Sequence, residues 1–216
     1  MFDIHTHILP YIDDGSSSLE DSIEMIKDSI NQGIKDIILT PHFDIYQARC
    51  NHKTNYQEEF SKFKKELEKR NLEVNVYLGN EIYYTPKVYK YLKEKKIFPL
   101  GNTKKVLIEF SFDDEIKNIE EIIYEFKIEG YEVVIAHAER YIYSSYNLVK
   151  SWKEQGALIQ VNASSFYESL KQKKLARKLL KNNIIDYIAS DVHSFRKNYI
   201  SKFIKDYKET KYFEFK

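Results

Sequence analysis

One cysteine, Cys50, stands among 216 residues. That excludes an intramolecular disulfide framework and a cysteine-based zinc cluster. Only six glycines and four prolines are present. No Pro/Gly-rich linker, fixed-period repeat or low-complexity tract breaks the chain, so residues 1–216 read as a single domain. Charge of one sign is also missing: 34 Lys/Arg against 33 Asp/Glu leave a net +1. A general nucleic-acid or membrane-surface binder would carry a larger excess. No apolar run approaches the ~18 residues that a membrane-spanning helix needs, so no membrane insertion is expected. The N-terminus has neither a basic region nor an apolar stretch, as a signal peptide would. A cytoplasmic enzyme or binding protein is the expectation that remains.

What is present is a core-forming chain, 43% hydrophobic and 31% charged. The near-neutral balance hides an asymmetry. From Glu168 onward there are 13 Lys/Arg and 6 Asp/Glu, a net +7, which leaves −6 for the rest. Solvated basic helices over a core explain this; a basic rim facing an anionic partner is the sharper reading. The 18 tyrosines lie among Lys, Ile and Asn throughout, which is compositional bias.

Seven short β-rich runs recur: Phe2–Ile4, Asp36–Thr40, Val74–Leu78, Lys105–Phe110, Glu132–Ala136, Leu158–Val161 and Ile184–Ala189. Their branched and aromatic content suits strands buried on both faces. Helical patterns alternate with them over Ser17–Gly33, Tyr56–Arg70, Pro86–Lys95, Asn118–Gly130, Ser145–Gln155, Phe166–Asn182 and Ser194–Thr210. Ser17 and Glu20 fit a capping box for the first, and Gly33 fits its C-terminal end. Seven strands each followed by a helix predict an α/β barrel or an open doubly wound sheet.

The strand ends decide between these. The first ends in His5-Thr6-His7, with Asp14 seven residues on. The second ends at His42, the third runs into Glu81 and the fourth carries Glu109. The fifth ends in His137, followed by Glu139 and Arg140. The sixth ends in Gln160-Val161-Asn162 and the seventh in Ser190-Asp191-Val192-His193. Five of six histidines and four carboxylates thus fall on one rim, where α/β barrels place their chemistry. An open sheet gathers residues from two or three strands at one switch point, so a barrel is favoured.

Residues i and i+2 of a strand face the same way, so His5 with His7, and Asp191 with His193, can each reach one cation. Imidazole with carboxylate suits Mn, Fe, Co or Zn. Several divalent ions would also relieve four converging acids, which otherwise repel one another. Arg140 and Arg196 each follow a proposed ligand by three residues, and guanidinium groups grip phosphate in bidentate fashion. A cysteine-dependent phosphatase is excluded, because the sixth residue after Cys50 is Tyr56 rather than Arg. Cys50 reads as an incidental loop thiol and His52 as a surface histidine.

Asp3-Ile4-His5-Thr6-His7-Ile8-Leu9-Pro10 with Asp13-Asp14-Gly15 resembles the opening of the polymerase-and-histidinol-phosphatase (PHP) superfamily. More narrowly, it resembles the bacterial manganese-dependent tyrosine-protein phosphatases of capsule and exopolysaccharide loci. Gly79–Pro86, Ile135–Tyr141 and Ile188–His193 are similar to that group's later motifs, in the right order from residue 2 to about residue 200. The resemblance implies a distorted (β/α)7 TIM-like barrel and three divalent metal ions, manganese first, with iron, cobalt or zinc as alternatives. His5, His7, Glu81, Glu109 and His137 match the ligands of two ions, with Asp191 contributing. Asp14, His42 and His193 match those of the third. Arg140 and Arg196 match phosphate-binding arginines, and Asp191 and His42 join them as catalytic candidates. The family usually continues past the last helix, whereas this chain stops at Lys216, so the resemblance also implies a missing short C-terminal segment.

The implied activity is hydrolysis of phosphotyrosine on a protein, a bacterial tyrosine autokinase of capsule or exopolysaccharide synthesis, by metal-activated hydroxide. Histidinol phosphate, or another small phosphomonoester, is the alternative substrate within the superfamily. An amidohydrolase also opens with HxH but often wants a carboxylated lysine at a middle strand end, and none appears here. A PHP exonuclease would bring a polymerase region or a basic groove. A metal-stabilised protein that docks on a kinase without catalysis is the alternative from another class, and nine intact ligand positions argue against it.

Overall fold

The computed structural model describes residues 1–46, 54–194 and 196–215. Cys50 and His52 lie outside the described residues. Strands β1 (Phe2–Thr6), β2 (Asp36–Leu39), β3 (His42–Phe43), β4 (Asn75–Leu78), β5 (Glu81–Tyr83), β6 (Lys105–Glu109), β7 (Glu132–Ile135), β8 (Leu158–Asn162) and β9 (Tyr187–Ala189) all pair in parallel. They form two pieces, β1-β2-β4 and β3-β5-β6-β7-β8-β9.

Each of the second and third sequence-predicted strands is split in two. β2 and β3 are separated by Thr40-Pro41, and β4 and β5 by Gly79-Asn80. Side chains fill the breaks: Asn80 Nδ2 donates to the Pro41 carbonyl (3.0 Å) and Asn80 Oδ1 accepts from Phe98 N (2.9 Å). The backbone ladder also crosses the gap, from Gly79 N to Leu39 O (2.9 Å). The ring closes where Asp191 N donates to His5 O (2.9 Å) and His7 N to Val192 O (3.0 Å). The result is a curled, distorted parallel barrel of seven strand lines.

A helix follows each line: α1 (Leu19–Asn31), α2 (Tyr56–Lys69), α3 (Val88–Lys93), α4 (Ile119–Ile128), α5 (Tyr146–Glu154), α6 (Leu170–Lys181) and α7 (Ile200–Tyr207). α3 begins at Val88, two residues after the expected Pro86, and three other starts also differ from the sequence reading. The cap of α1 is Ser18, whose Oγ accepts from Asp21 N (3.1 Å), one residue later than the predicted Ser17–Glu20 box. α6 begins at Leu170 because Ala163–Phe166 forms a tight 3-10 turn and Ser169 caps the helix. α7 begins at Ile200, not near Ser194. None of the helices among the described residues is long and apolar enough to cross a membrane.

Alternation divides the core. Val106, Ile108, Val133, Ile135, Ile159 and Val161 pack outward in the large layer shared with the helices. Inward, Ile4, Ile38, Leu107, Val134 and Ala189 close the base of the barrel. Along each line the inward face turns from apolar to polar: Leu107 precedes Glu109, and Leu158 precedes Gln160 and Asn162. In β1 the register against β2 slips by one residue between Asp3 and Thr6. That bulge lets Ile4 join the base while His5 and His7 still point into the upper half.

Candidate metal centre

The loop after β1 builds the first wall. Gly15 passes so close to His7 that an ideal Cβ would sit 2.1 Å from the His7 carbonyl oxygen. The turn holds Asp13 beside His7: Asp13 Oδ2 accepts from His7 Nδ1 (2.8 Å) and from His42 N (2.9 Å). His7 Nε2 is thereby aimed at the cleft.

The nine proposed ligands meet at the C-terminal end of the barrel. Glu81 lies at the centre. Its Oε2 is 3.2 Å from His5 Nε2, 3.2 Å from His7 Nε2 and 3.0 Å from His42 Nδ1, while Oε1 lies 2.8 Å from His137 Nε2. Glu109 Oε1 is 3.6 Å from His137 Nε2. Asp14, the one exposed member, faces His42 Nε2 (3.4 Å) and His193 Nε2 (3.6 Å). Asp191 Oδ1 lies 3.6 Å from His5, 3.5 Å from His7 and 3.7 Å from His193.

Three sets each offer ligand atoms within 4.8 Å of one another: His7, Asp14, His42 and His193; His5, His7 and Glu81; and His42, Glu81 and Glu109. This donor set fits divalent cations, hard oxygens mixed with imidazole and no sulfur. His7 belongs to two of the sets, so it joins the Asp14–His42–His193 group from which the resemblance left it out. Asp191 and His193 converge, but not by strand alternation. β9 ends at Ala189, and Asp191 is in the left-handed region at φ 50°. His137 likewise has φ 31°. Such backbone is costly and collects at functional sites.

The electrostatics match. Burial alone would lower the pKa of His5, His7 and His42. The carboxylates of Glu81 and Asp191 beside His5, of Asp13 beside His7 and of Glu81 beside His42 outweigh it, and His42 is pushed up to about 10. Burial would raise Glu81 and Asp191, but His5 and the other imidazoles hold both well below the usual carboxylate range. Burial takes His137 down to about 4. Metal ions compete with protons for such nitrogens.

Arg140 and Arg196 both overhang the site. Each Nη1 donates to Asp191 Oδ2, at 2.8 and 2.9 Å. Both line a small cleft with Asp14, His42, Glu109 and Phe112.

Some supporting residues carried no role in the sequence reading. Gln160 Oε1 lies 3.1 Å from His5 Nδ1 and accepts from His137 N (2.7 Å). Gln160 Nε2 donates to Asn162 Oδ1 (2.8 Å), and Asn162 Nδ2 to Asp191 Oδ2 (2.7 Å). Their i, i+2 spacing at the end of the sixth strand was the available signal. Asp13 stood in the quoted opening motif, but only the fold shows its contact with His7. Groups that orient ligands are worth about 10–100-fold in metal affinity. Asp13→Ala should weaken Mn binding by that range, read by competition with a fluorescent chelator, with circular dichroism unchanged. Unaltered affinity would show that His7 needs no such support.

The family model for capsular polysaccharide synthesis, CpsB/CapC, matches residues 1–209. The chain belongs to the CpsB/CapC family. Among curated relatives of this CpsB/CapC chain, tyrosine-protein phosphatase YwqE of Bacillus subtilis (strain 168) is 36% identical over 202 residues, 90% of this chain and 78% of the relative. Tyrosine-protein phosphatase CpsB of Streptococcus agalactiae serotype V is 35% identical over 203 residues, covering 90% and 83%. A crystal structure from work on YwqE of Bacillus subtilis and CpsB of Streptococcus pneumoniae, described as metal-dependent tyrosine phosphatases, superposes with a TM-score of 0.85 at 34% identity. It covers 94% of this chain and 84% of that one. Histidinol phosphate phosphatase of Lactococcus lactis, solved with zinc, L-histidinol and phosphate, shares the fold at TM-score 0.59 and 13% identity, over 95% and 90% of the two chains.

Proposed function

We propose that this chain is a cytoplasmic metal-dependent phosphatase, a single domain that hydrolyses phosphotyrosine on a bacterial tyrosine autokinase of capsule or exopolysaccharide synthesis. The observation that carries this is the juxtaposition of three His/carboxylate ligand sets with two arginines on one cleft. Relatives at 35–36% identity that are named tyrosine-protein phosphatases support the substrate class.

His5, His7, Asp14, His42, Glu81, Glu109, His137, Asp191 and His193 would hold three divalent ions, manganese first. When bound, such ions supply a nucleophile at neutral pH and positive charge for phosphoryl oxygens. The chain's own residues do the rest. Arg140 and Arg196 bind the phosphoryl group and offset the charge that develops on it. Asp191 holds both guanidiniums in place through one oxygen. Gln160 and Asn162 fix His5 and Asp191 relative to one another. The phenol of tyrosine leaves with a pKa of about 10, far more readily than a serine alkoxide, so a site without strong general-acid help favours phosphotyrosine.

Chelation should abolish phosphate release from p-nitrophenyl phosphate and from a phosphotyrosine peptide, and added Mn should restore both. Elemental analysis of the purified protein should find three metal equivalents. Activity that survives complete metal removal, or an Mn-loaded protein that turns over neither substrate, would sink the reading. Preference for histidinol phosphate over the peptide would move it to the small-substrate alternative.

A further inference from the structure

The cleft between the arginines is small, with a volume of ≈ 40 Å³. A single water needs roughly 10–15 Å³, and seven of the lining residues are the proposed metal ligands, so this space has no room for an aromatic ring. The organic part of a substrate must therefore rest at the mouth. Every described residue lining the cleft is His, Asp, Glu or Arg, except Phe112.

Phe112 is half-buried, three residues beyond the end of β6. Its carbonyl accepts from Ile142 N (2.9 Å), which ties it to the loop carrying Arg140. Its ring stacks on His137 with centroids 5.3 Å apart and planes 22° from parallel. It also packs against Tyr141 at 5.7 Å, and Arg140 Cζ lies 5.0 Å from its centroid. The ring's orientation is thus set by the protein before any ligand arrives, which spares the ordering cost on binding.

Resting on the phosphatase reading above, we infer that Phe112 is a specificity residue that receives the aromatic ring of aryl phosphomonoesters at the mouth of the cleft. Aromatic pairs prefer offset or edge-to-face contact at centroid distances of about 4.5–7 Å. A ring one ester oxygen away from a phosphoryl group held by Arg140 would lie near Phe112, whose centroid is 5.0 Å from the Arg140 Cζ. An alkyl phosphomonoester has no such partner.

Phe112 also touches Arg140, so the test must separate ring recognition from arginine placement. Phenylphosphonate and methylphosphonate share one head group and differ only in the ring. Titration calorimetry on Mn-loaded wild-type protein should show phenylphosphonate binding roughly three- to tenfold tighter. Phe112→Ala should erase that preference while methylphosphonate affinity changes less than twofold. Phe112→Leu, which keeps apolar bulk at the position, should retain methylphosphonate binding and lose most of the ring preference. Equal weakening of both ligands, or no preference in the wild type, would overturn the inference. Phosphate release from a phosphotyrosine peptide, measured separately on the wild type, tests the phosphatase reading by itself.

Discussion

Replacing Asp191 by asparagine should lower kcat/KM toward a phosphotyrosine peptide by at least about 10³-fold, because loss of a single preorganised charge contact already costs about 10²–10³. One carboxylate serves two sides. Oδ2 accepts from Arg140, Arg196 and Asn162 at 2.7–2.9 Å. Oδ1 faces His5 and His7 at 3.5–3.6 Å. Asparagine can present its amide oxygen to only one side, and its NH₂ then meets either two guanidiniums or two imidazoles. The negative charge that balances both is gone.

The substitution is chosen for the backbone. At φ 50°, position 191 lies where asparagine is among the best-tolerated residues. The ladder bond from its N–H to His5 O also survives. Circular dichroism and the elution volume should therefore match wild type while turnover falls. A loss under tenfold would remove Asp191 from the machinery and leave the arginines positioned by something else.

How much of this was legible in the chain follows from which forces are local. Strand positions were readable because both faces of a barrel strand are covered, which writes a continuous apolar run such as Val106-Leu107-Ile108. The convergence of His5, Glu81, Glu109 and His137 was readable because parallel strands deliver their ends to one rim. The split of the second and third strands was not, since it depends on Asn80 reaching Pro41 across 39 residues. The slip in β1 was hidden too. Ile4 and His5 are neighbours that serve opposite halves of the interior, and only pairing with β2 reveals the extra residue. Asp191 and His193 look like a strand pair in sequence, whereas a left-handed turn brings them together. The helix starts moved by one to six residues because several serines compete as caps, and tertiary packing selects among them. Phe112 gave no signal, because an aromatic after a strand is usually core.

Gly15→Ala should be the most damaging single-methyl change at this site, and its cause lies outside the ligand set. The added Cβ would lie 2.1 Å from His7 O and 2.4 Å from His7 Cβ. Neither is the far end of a flexible side chain, so the loop must move. That loop is held by Gly15 N donating to Asp13 Oδ1 (3.0 Å), Ser16 N donating to His7 O (3.0 Å) and Ser194 Oγ donating to Gly15 O (3.1 Å). Displacing it carries Asp13 off His7 and Asp14 off His42 and His193 together. Overpacking costs about 1–3 kcal/mol, a Tm fall of roughly 2–12 °C for a chain of this size. Turnover at saturating Mn should drop by about 10²-fold or more, since ligand support and a ligand are both displaced. Gly130→Ala is the control. Gly130 has φ 80°, but its Cβ would meet nothing within 4 Å. It should pay only the left-handed penalty of roughly 1–2 kcal/mol and keep full turnover. If Gly15→Ala behaves like Gly130→Ala, with a modest Tm change and wild-type turnover, the β1–α1 loop has room to spare and its tight approach does not set the geometry of the metal centre.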